Sequence, residues 1–73
     1  MRLCDVEINS IVKVVSLNCE INLSRRLNDL GLVRGTSIAP VFIAPFGNPI
    51  AYEFRGNIIA IRNEDSANIL VDI

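Results

Sequence analysis

Hydrophobic residues follow two different spacings along the chain, and each spacing predicts a different element. Residues 11–17 are rich in β-branched side chains and follow the turn-prone pair Asn9-Ser10, which predicts a first strand. Val12 and Val14 would face one way and Ile11 the other, so the pattern is compatible with burial on both faces.

Residues 22–32 give the clearest helical pattern. Asn22 is predicted to cap the helix, and three leucines at positions i, i+4 and i+7 form one apolar stripe: Leu23, Leu27 and Leu30. Gly31 suits the left-handed residue after the helix, which would return Leu32 against Leu27 in a Schellman ending.

The remaining segments predict further strands separated by short turns. Residues 33–36 look like a tight turn leading to a strand over residues 37–44, in which Pro40 indicates an edge position or a bulge. Residues 63–68 are predicted to form a helical turn with acidic residues near its start. A last strand follows over residues 69–73.

Two apolar runs, residues 50–55 and 58–62, are predicted to form a β-hairpin around a Gly56-Asn57 turn. Counting outward from the turn pairs Phe54 with Ile59 and Tyr52 with Ile61. One face is then apolar and belongs in the core: Tyr52, Phe54, Ile59 and Ile61. On the other face, Glu53 and Arg62 would form an exposed ion pair of little energetic value.

These elements predict a mainly β fold, a small SH3-like barrel of about five strands. One short helix lies between the first two strands and a helical turn precedes the last. Closing the sheet would hide edges that a chain of 73 residues cannot otherwise cover. At this length, residues 1–73 are expected to form a single domain with one core.

Composition narrows the classes of partner. The formal net charge is −1 and the pI is about 5.1, so nucleic acid is not an expected partner. The longest apolar stretch is broken by Pro40 and Pro45, so no direct membrane insertion is expected, and the acidic N-terminus does not resemble a signal peptide. Cys4 and Cys19 lie far apart and fit a reducing cytoplasm. They are interpreted as small, partly buried hydrophobes rather than ligands or a disulfide.

The chain lacks the side chains that common catalytic sites use. It contains no histidine, no phosphate-cradling glycine loop and no paired carboxylates at a fixed spacing, so no enzymatic activity and no catalytic residue are predicted. Without imidazole, no metal ligand is assigned either. A faint helix-turn-helix pattern begins at Ser24, but no second helical stripe follows Gly31.

Two blocks of sequence carry a family resemblance. Residues 23–32 read LSRRLNDLGL and are followed by Arg34-Gly35-Thr36, and residues 44–50 read APFGNPI. With the Arg55-Gly56 turn, these blocks resemble, in order, the pattern of FeoA-like ferrous-iron transport accessory proteins. That domain type also resembles the C-terminal domain of iron-dependent repressors. Asn48 stands where the family usually has aspartate, so this loop lacks a carboxylate ligand.

The resemblance implies a cytoplasmic, SH3-like accessory protein of ferrous-iron uptake. It would dock on the cytoplasmic GTPase part of a FeoB-type membrane iron permease. No cofactor is required by this reading, and a weak association with Fe²⁺ is left open, as is the oligomeric state. The alternative is a metal-responsive regulator that binds a transition metal or a metal-dependent repressor.

Six residues are assigned to the partner-binding surface: Arg25, Arg26, Leu32, Arg34, Phe46 and Arg55. Arginine is enriched at interface hot spots, although Arg25 precedes Asp29 by four residues and could instead brace the helix. Phe46 has two readings: an exposed anchor for a partner, or a plug for the end of the barrel, which the burial preference of phenylalanine favours.

Overall fold

A computed structural model describes residues 1–73 and contains five strands and two α-helices. In chain order these are β1 (Val12–Leu17), α1 (Ile21–Asp29), β2 (Ser37–Ile43), β3 (Ile50–Phe54), β4 (Asn57–Ile61), α2 (Asn63–Ser66) and β5 (Ile69–Asp72). A short 3₁₀ helix over Leu3–Asp5 precedes them. The predicted helix between the first two strands and the helical turn before the last strand are both confirmed.

The five strands form one antiparallel sheet in the order β4-β3-β2-β1-β5. No ladder joins β4 to β5, so the sheet is open where a closed barrel was predicted. Helix α1 lies alongside β4 and supplies part of the cover that a fifth pairing, between β4 and β5, would give. The mainly β architecture is therefore confirmed, while complete closure of the barrel is not.

The N-terminus covers the other end of the sheet. Arg2 forms an isolated antiparallel bridge with Leu70, and the amide of Val71 donates to the carbonyl of Met1 over 2.8 Å. The outer edge of β5 thus has a backbone partner. The outer edge of β4 has no such cover.

One core lies between the sheet and α1. It consists of twelve apolar side chains drawn from most of the elements: Leu3, Val12, Val14, Leu27, Leu32, Ile38, Ile50, Tyr52, Phe54, Ile61, Ile69 and Val71. In β1, Val12 and Val14 are buried while Val15 is exposed, as is Ile11 just before the strand, so only one face of this strand is packed.

The hairpin forms as predicted, but its register differs by two residues. Tyr52 pairs with Ile59, and the two-residue loop is Arg55-Gly56. Both loop residues have positive φ, 49° and 78°, as a type I′ turn requires. Because side chains alternate with a period of two, the predicted apolar face survives the shift. The expected Glu53–Arg62 pair does not form, since Arg62 binds Asp65 at 3.0 Å instead.

Helix α1 begins one residue earlier than its predicted cap. The Glu20 carboxylate accepts from the amides of Asn22 and Leu23 at 3.0 and 3.2 Å, so Glu20 is the N-cap and the Asn22 prediction is wrong. A carboxylate satisfies two free amides there and also opposes the positive end of the helix dipole.

The predicted Schellman ending of α1 is confirmed. Gly31 has a φ of 101°, and its amide donates to the Asn28 carbonyl over 3.0 Å. The Leu32 amide reaches back to the Leu27 carbonyl at 2.8 Å, which carries the Leu32 side chain into the core beside Leu27.

Pro40 lies in a strand with neighbours on both sides, so the edge interpretation is wrong. The bulge interpretation is confirmed, because the pairing of β2 with β3 shifts between Pro40 and Phe42. The Pro40 carbonyl accepts from the Asn9 amide at 2.7 Å, which ties the turn before β1 to this bulge.

Candidate functional site

A groove of ≈ 370 Å³ runs between α1 and β4. Its apolar lining comes from both walls: Leu23, Leu27 and Leu30 from the helix, and Ile59, Ala60 and Ile61 from the strand. Its polar lining consists of Glu20, Asn22, Arg26, Arg62 and Asp65. We call this surface the α1–β4 groove.

The leucine stripe of α1 is divided between the core and the groove. Leu27 is 1% exposed, whereas Leu30, one turn later, is 39% exposed. Leu23 is half-buried. A helix that packed fully onto the sheet would bury all three, so the partial exposure shows that α1 stands away from β4 along this line.

The charges around the groove are unequally satisfied. The Glu20 carboxylate is held by two backbone amides, and the Asp65 carboxylate is held by Arg62. Arg26 forms no salt bridge and makes no side-chain hydrogen bond. The groove therefore combines an apolar floor with one cation that has no partner within the chain.

The β3–β4 turn is fastened to the C-terminal end of α1. Asn57 donates from Nδ2 to the carbonyl of Leu30 over 3.2 Å, and the Arg55 side chain passes directly over Gly31. A Cβ added to Gly31 would lie 3.0 Å from Cδ of Arg55. A cation at this end of the helix is favourable because the last carbonyls carry partial negative charge. The turn and the helix end therefore form one unit next to Leu30, which lines the groove.

The opposite end of the groove is held by hydrogen bonds around α2. Cys19, just before α1, donates from Sγ to the carbonyl of Asp65 at 3.5 Å. Burial raises the pKa of the Cys19 thiol, and the Asp65 carboxylate adds to the effect. The thiol therefore favours its neutral form, which suits a packing role.

Only one of the six predicted contact residues lines the groove. That residue is Arg26, whereas Arg55 lies over Gly31, next in sequence to the groove residue Leu30. Arg25 and Arg34 are exposed elsewhere. Arg25 forms no ion pair with Asp29, which contradicts the bracing interpretation.

Two predictions about apolar residues are corrected by their burial. Leu32 is completely buried by the Schellman ending, so a partner cannot reach it in the folded domain, and its predicted contact role is contradicted. Phe46 is 99% exposed, so the preferred reading of a barrel plug is wrong. Its loop is positioned by Asn63, which donates from Nδ2 to the Gly47 carbonyl over 2.8 Å.

The possible metal donors do not come together. No group of three or more cysteine, aspartate or glutamate side chains lies close enough to hold an ion. Cys4 and Cys19 are free, half-buried thiols. The structure thus offers no donor set that fits an iron or zinc centre.

None of the helices has the length and apolar character needed to cross a bilayer.

The FeoA domain model matches residues 1–73. The chain belongs to the FeoA domain family. Among solved structures it is similar to FeoA from Chlorobium tepidum, with 34% identity and a TM-score of 0.95, covering 100% of this chain and 70% of that one. A FeoA-like protein from Clostridium acetobutylicum is 40% identical, with a TM-score of 0.84 and coverage of 100% and 85%.

A third FeoA relative is described as having an SH3 domain. Stenotrophomonas maltophilia FeoA, crystallised with zinc and described as a prokaryotic SH3 domain protein, is 26% identical with a TM-score of 0.84; coverage is 99% and 89%. No curated protein matches the chain. The resemblance to FeoA and the SH3-like fold class are confirmed, and the family is associated with ferrous iron transport.

Several groove residues of this FeoA-family chain could not be predicted from the sequence, because the groove depends on where α1 stands relative to β4. One available signal was the composition of β4, Asn57–Ile61, which contains no charged residue and no proline. Edge strands normally carry such residues to prevent unwanted pairing. β4 lacks such residues although it lies at the edge of the sheet.

Proposed function

We propose that this FeoA-family chain is a cytoplasmic accessory protein of ferrous-iron uptake that acts by docking on the cytoplasmic part of a FeoB-type iron permease. The observation that carries the proposal is the α1–β4 groove, which leaves an apolar floor and an unpartnered Arg26 exposed after the domain has folded. The family's association with ferrous iron transport supplies the class of partner.

The chemistry of the groove suits association with a protein. Apolar surface removed from water contributes roughly 25 cal/mol per Å², and arginine is among the residues enriched at interface hot spots. Leu30 and Ile59 offer the apolar contact, and Arg26 offers a charged one beside it. A partner that contacts the apolar residues and Arg26 together removes the Arg26 charge from water, which is costly unless the partner supplies a negative charge. This requirement favours partners with an acidic group at that position.

The exposed loop at Phe46 fits the same role. Phe46 is 99% exposed on a loop that Asn63 anchors, so burying its ring against a partner would be favourable in free energy relative to leaving it in water. We assign Phe46 to a second contact outside the groove, while the groove forms the main one.

A titration tests the proposal directly. The full chain is titrated calorimetrically with the isolated cytoplasmic domain of the iron permease from the same organism. Saturable binding is expected, and Arg26→Glu should weaken it about tenfold or more, which corresponds to roughly 1.4 kcal/mol. Lys13→Glu changes charge equally on β1 and serves as the matched control with unchanged affinity.

Two results would count against docking. One is no heat at high micromolar concentration of the permease domain, and the other is equal weakening by both charge reversals. The alternative of a metal-responsive regulator, suggested by the zinc in the S. maltophilia structure, is tested by anaerobic titration with Fe²⁺ alone. Binding that is lost in Cys4→Ser or Cys19→Ser would favour that alternative.

A further inference from the structure

The strand that forms one wall of the α1–β4 groove has an unpaired edge. In a two-residue hairpin the residues flanking the loop, here Phe54 and Asn57, form a hydrogen-bonded pair, and the pattern then alternates along the ladder. Ile59 and Ile61 therefore bond to β3. The N–H and C=O groups of Ile58 and Ala60 point away from it, and none of the backbone hydrogen bonds outside the regular elements involves these two residues.

We propose that this edge of β4 accepts an extended segment of the partner protein as an additional strand, and that the segment carries a carboxylate that binds Arg26. The inference deepens the docking proposed above and rests on it. Main-chain hydrogen bonds would supply sequence-independent affinity, and alternate side chains of the segment would enter the groove against Leu30 and Ile59.

The available groups match such a strand in number and position. Ile58 and Ala60 together present two donors and two acceptors, spaced as one strand requires for a neighbour of four or five residues. The Ile58 side chain is 65% exposed on the outer face, where an apolar residue of the added strand would cover it. Both the backbone and the side-chain surfaces of β4 are thus incomplete in the isolated chain.

Charge complementarity decides between a partner segment and a second copy of this chain. The two carboxylates in the groove, Glu20 and Asp65, are already engaged, so Arg26 needs an acid from outside. A second copy pairing through its own β4 would bring Asn57–Ile61, which contains no acidic residue. An acidic and apolar segment of another protein is therefore the occupant that satisfies the groove.

Amide hydrogen exchange measured by NMR on the full chain tests the inference with two probes. One is the cytoplasmic domain of the permease. The other is a blocked hexapeptide in which valine alternates with threonine and glutamate, compared with the same peptide carrying lysine in place of glutamate. At saturation the exchange of the Ile58 and Ala60 amides should slow about tenfold or more, because outward N–H groups become hydrogen-bonded. The lysine peptide should bind more weakly.

A backbone variant separates the edge from its side chains. Ala60→Pro removes the outward N–H but leaves the ladder to β3 intact, and Ala60→Val keeps the N–H with similar bulk. Ala60→Pro should bind either probe about tenfold more weakly than Ala60→Val. If the proline variant does not fold, the exchange of Ile58 in the unsubstituted chain still gives the answer.

The outcomes distinguish this inference from the proposed function. Binding of the permease domain without slower exchange at Ile58 and Ala60 would overturn the added strand while leaving docking in place. Protection by the glutamate peptide, with no binding of the permease domain, would support the edge and overturn that partner. Protection that grows with the concentration of the chain alone, together with a doubled mass, would show that a second copy is the occupant and overturn the partner segment.

Discussion

The two edge strands of the sheet, β5 and β4, differ in whether their outer backbone groups have hydrogen-bond partners. At β5, residues Met1 and Arg2 lie along the strand, and the Val71 amide reaches the Met1 carbonyl. At β4, the backbone groups of Ile58 and Ala60 point away from β3 and have no backbone partner. One edge is covered by the chain's own terminus and the other is left open beside an apolar concavity.

This contrast is the structural basis of the docking that we propose. Unpaired edges promote aggregation, and proteins normally block them with charge, proline or a covering segment. Here the covering segment lies at β5, where it also places Leu3 in the core. The open edge at β4 lies beside α1 and Arg26, and we propose it as the site where a partner strand pairs.

The largest effect is expected where the groove meets the core. Leu27→Ala should lower the free energy of unfolding by about 3 kcal/mol, because a side chain that is 1% exposed would leave a cavity. Leu30→Ala, on the lip of the same groove, should cost less than about 1 kcal/mol while weakening the docking. Urea unfolding and the permease titration measure the two effects. Equal costs would show that the groove is simply part of the core.

The second-largest effect on the free energy of unfolding is expected at the C-terminal end of α1, where Gly31 contacts the β3–β4 turn. Gly31→Ala is expected to cost about 2 kcal/mol, because an alanine would be strained at a φ of 101° and its Cβ would crowd the Arg55 side chain. Gly47→Ala has a similar φ of 83° with open space around it, and should cost about 1 kcal/mol.

Combining Gly31→Ala with Arg55→Ala tests the crowding separately. Gly31→Ala is expected to lower the free energy of unfolding more than Gly47→Ala does, and in the double variant this additional loss should disappear, because the crowded Arg55 side chain has been removed. Urea unfolding measures the difference. An unchanged excess would show that Arg55 does not pack on the helix end.

A smaller effect is expected at the covered edge. A chain beginning at Leu3, released from a cleavable tag, loses the bridge to Leu70 and the bond to Val71. It should lose about 1 kcal/mol of stability and begin to associate as its concentration rises. Unfolding and sedimentation measure both properties. A shortened chain that stays monomeric at millimolar concentration would argue against the protective role of the terminus.

The smallest effect concerns pH. Burial raises the pKa of Cys19, so the unfolded chain ionises this thiol first, and the free energy of unfolding should fall as the pH rises above the ordinary value of 9.0. Burial also raises the pKa of Tyr52, whose phenol oxygen has no hydrogen-bond partner; the nearby Ser66 hydroxyl acts in the opposite direction but is the smaller influence. The free energy of unfolding should therefore continue to fall above pH 10.0. Cys19→Ala should flatten the first part of the curve in urea unfolding. A curve with the same slope in both proteins would contradict this.

Most of the elements could be predicted from the sequence because their signals are local. The leucine stripe and Gly31 defined the helix and its ending, and the alternation of Tyr52 and Phe54 defined the inner face of β3. The register could not be fixed in the same way, since a shift of two residues preserves every face. Arg55 takes a φ of 49°, which side chains rarely adopt, so a glycine-asparagine loop was the stronger local pattern.

The candidate site depends on distances that the sequence does not encode locally. Arg26 could be selected because arginine favours interfaces, but the groove arises from the separation of α1 and β4, which is set by the whole core. Leu32 was misassigned even though the predicted Schellman ending already implied that its side chain turns inward against Leu27. Phe46 was misread because burial preferences average over loops and ignore the anchoring of this one by Asn63.

An NMR titration that compares the two edges tests the account most directly. The isotope-labelled chain is mixed with the cytoplasmic domain of the permease, and amide shifts are followed at Ile58 and Ala60 on one edge and at Leu70 and Val71 on the other. Saturable changes are expected along β4 and α1, and none along β5. Changes concentrated at Leu70 and Val71, or no changes at either edge, would contradict it.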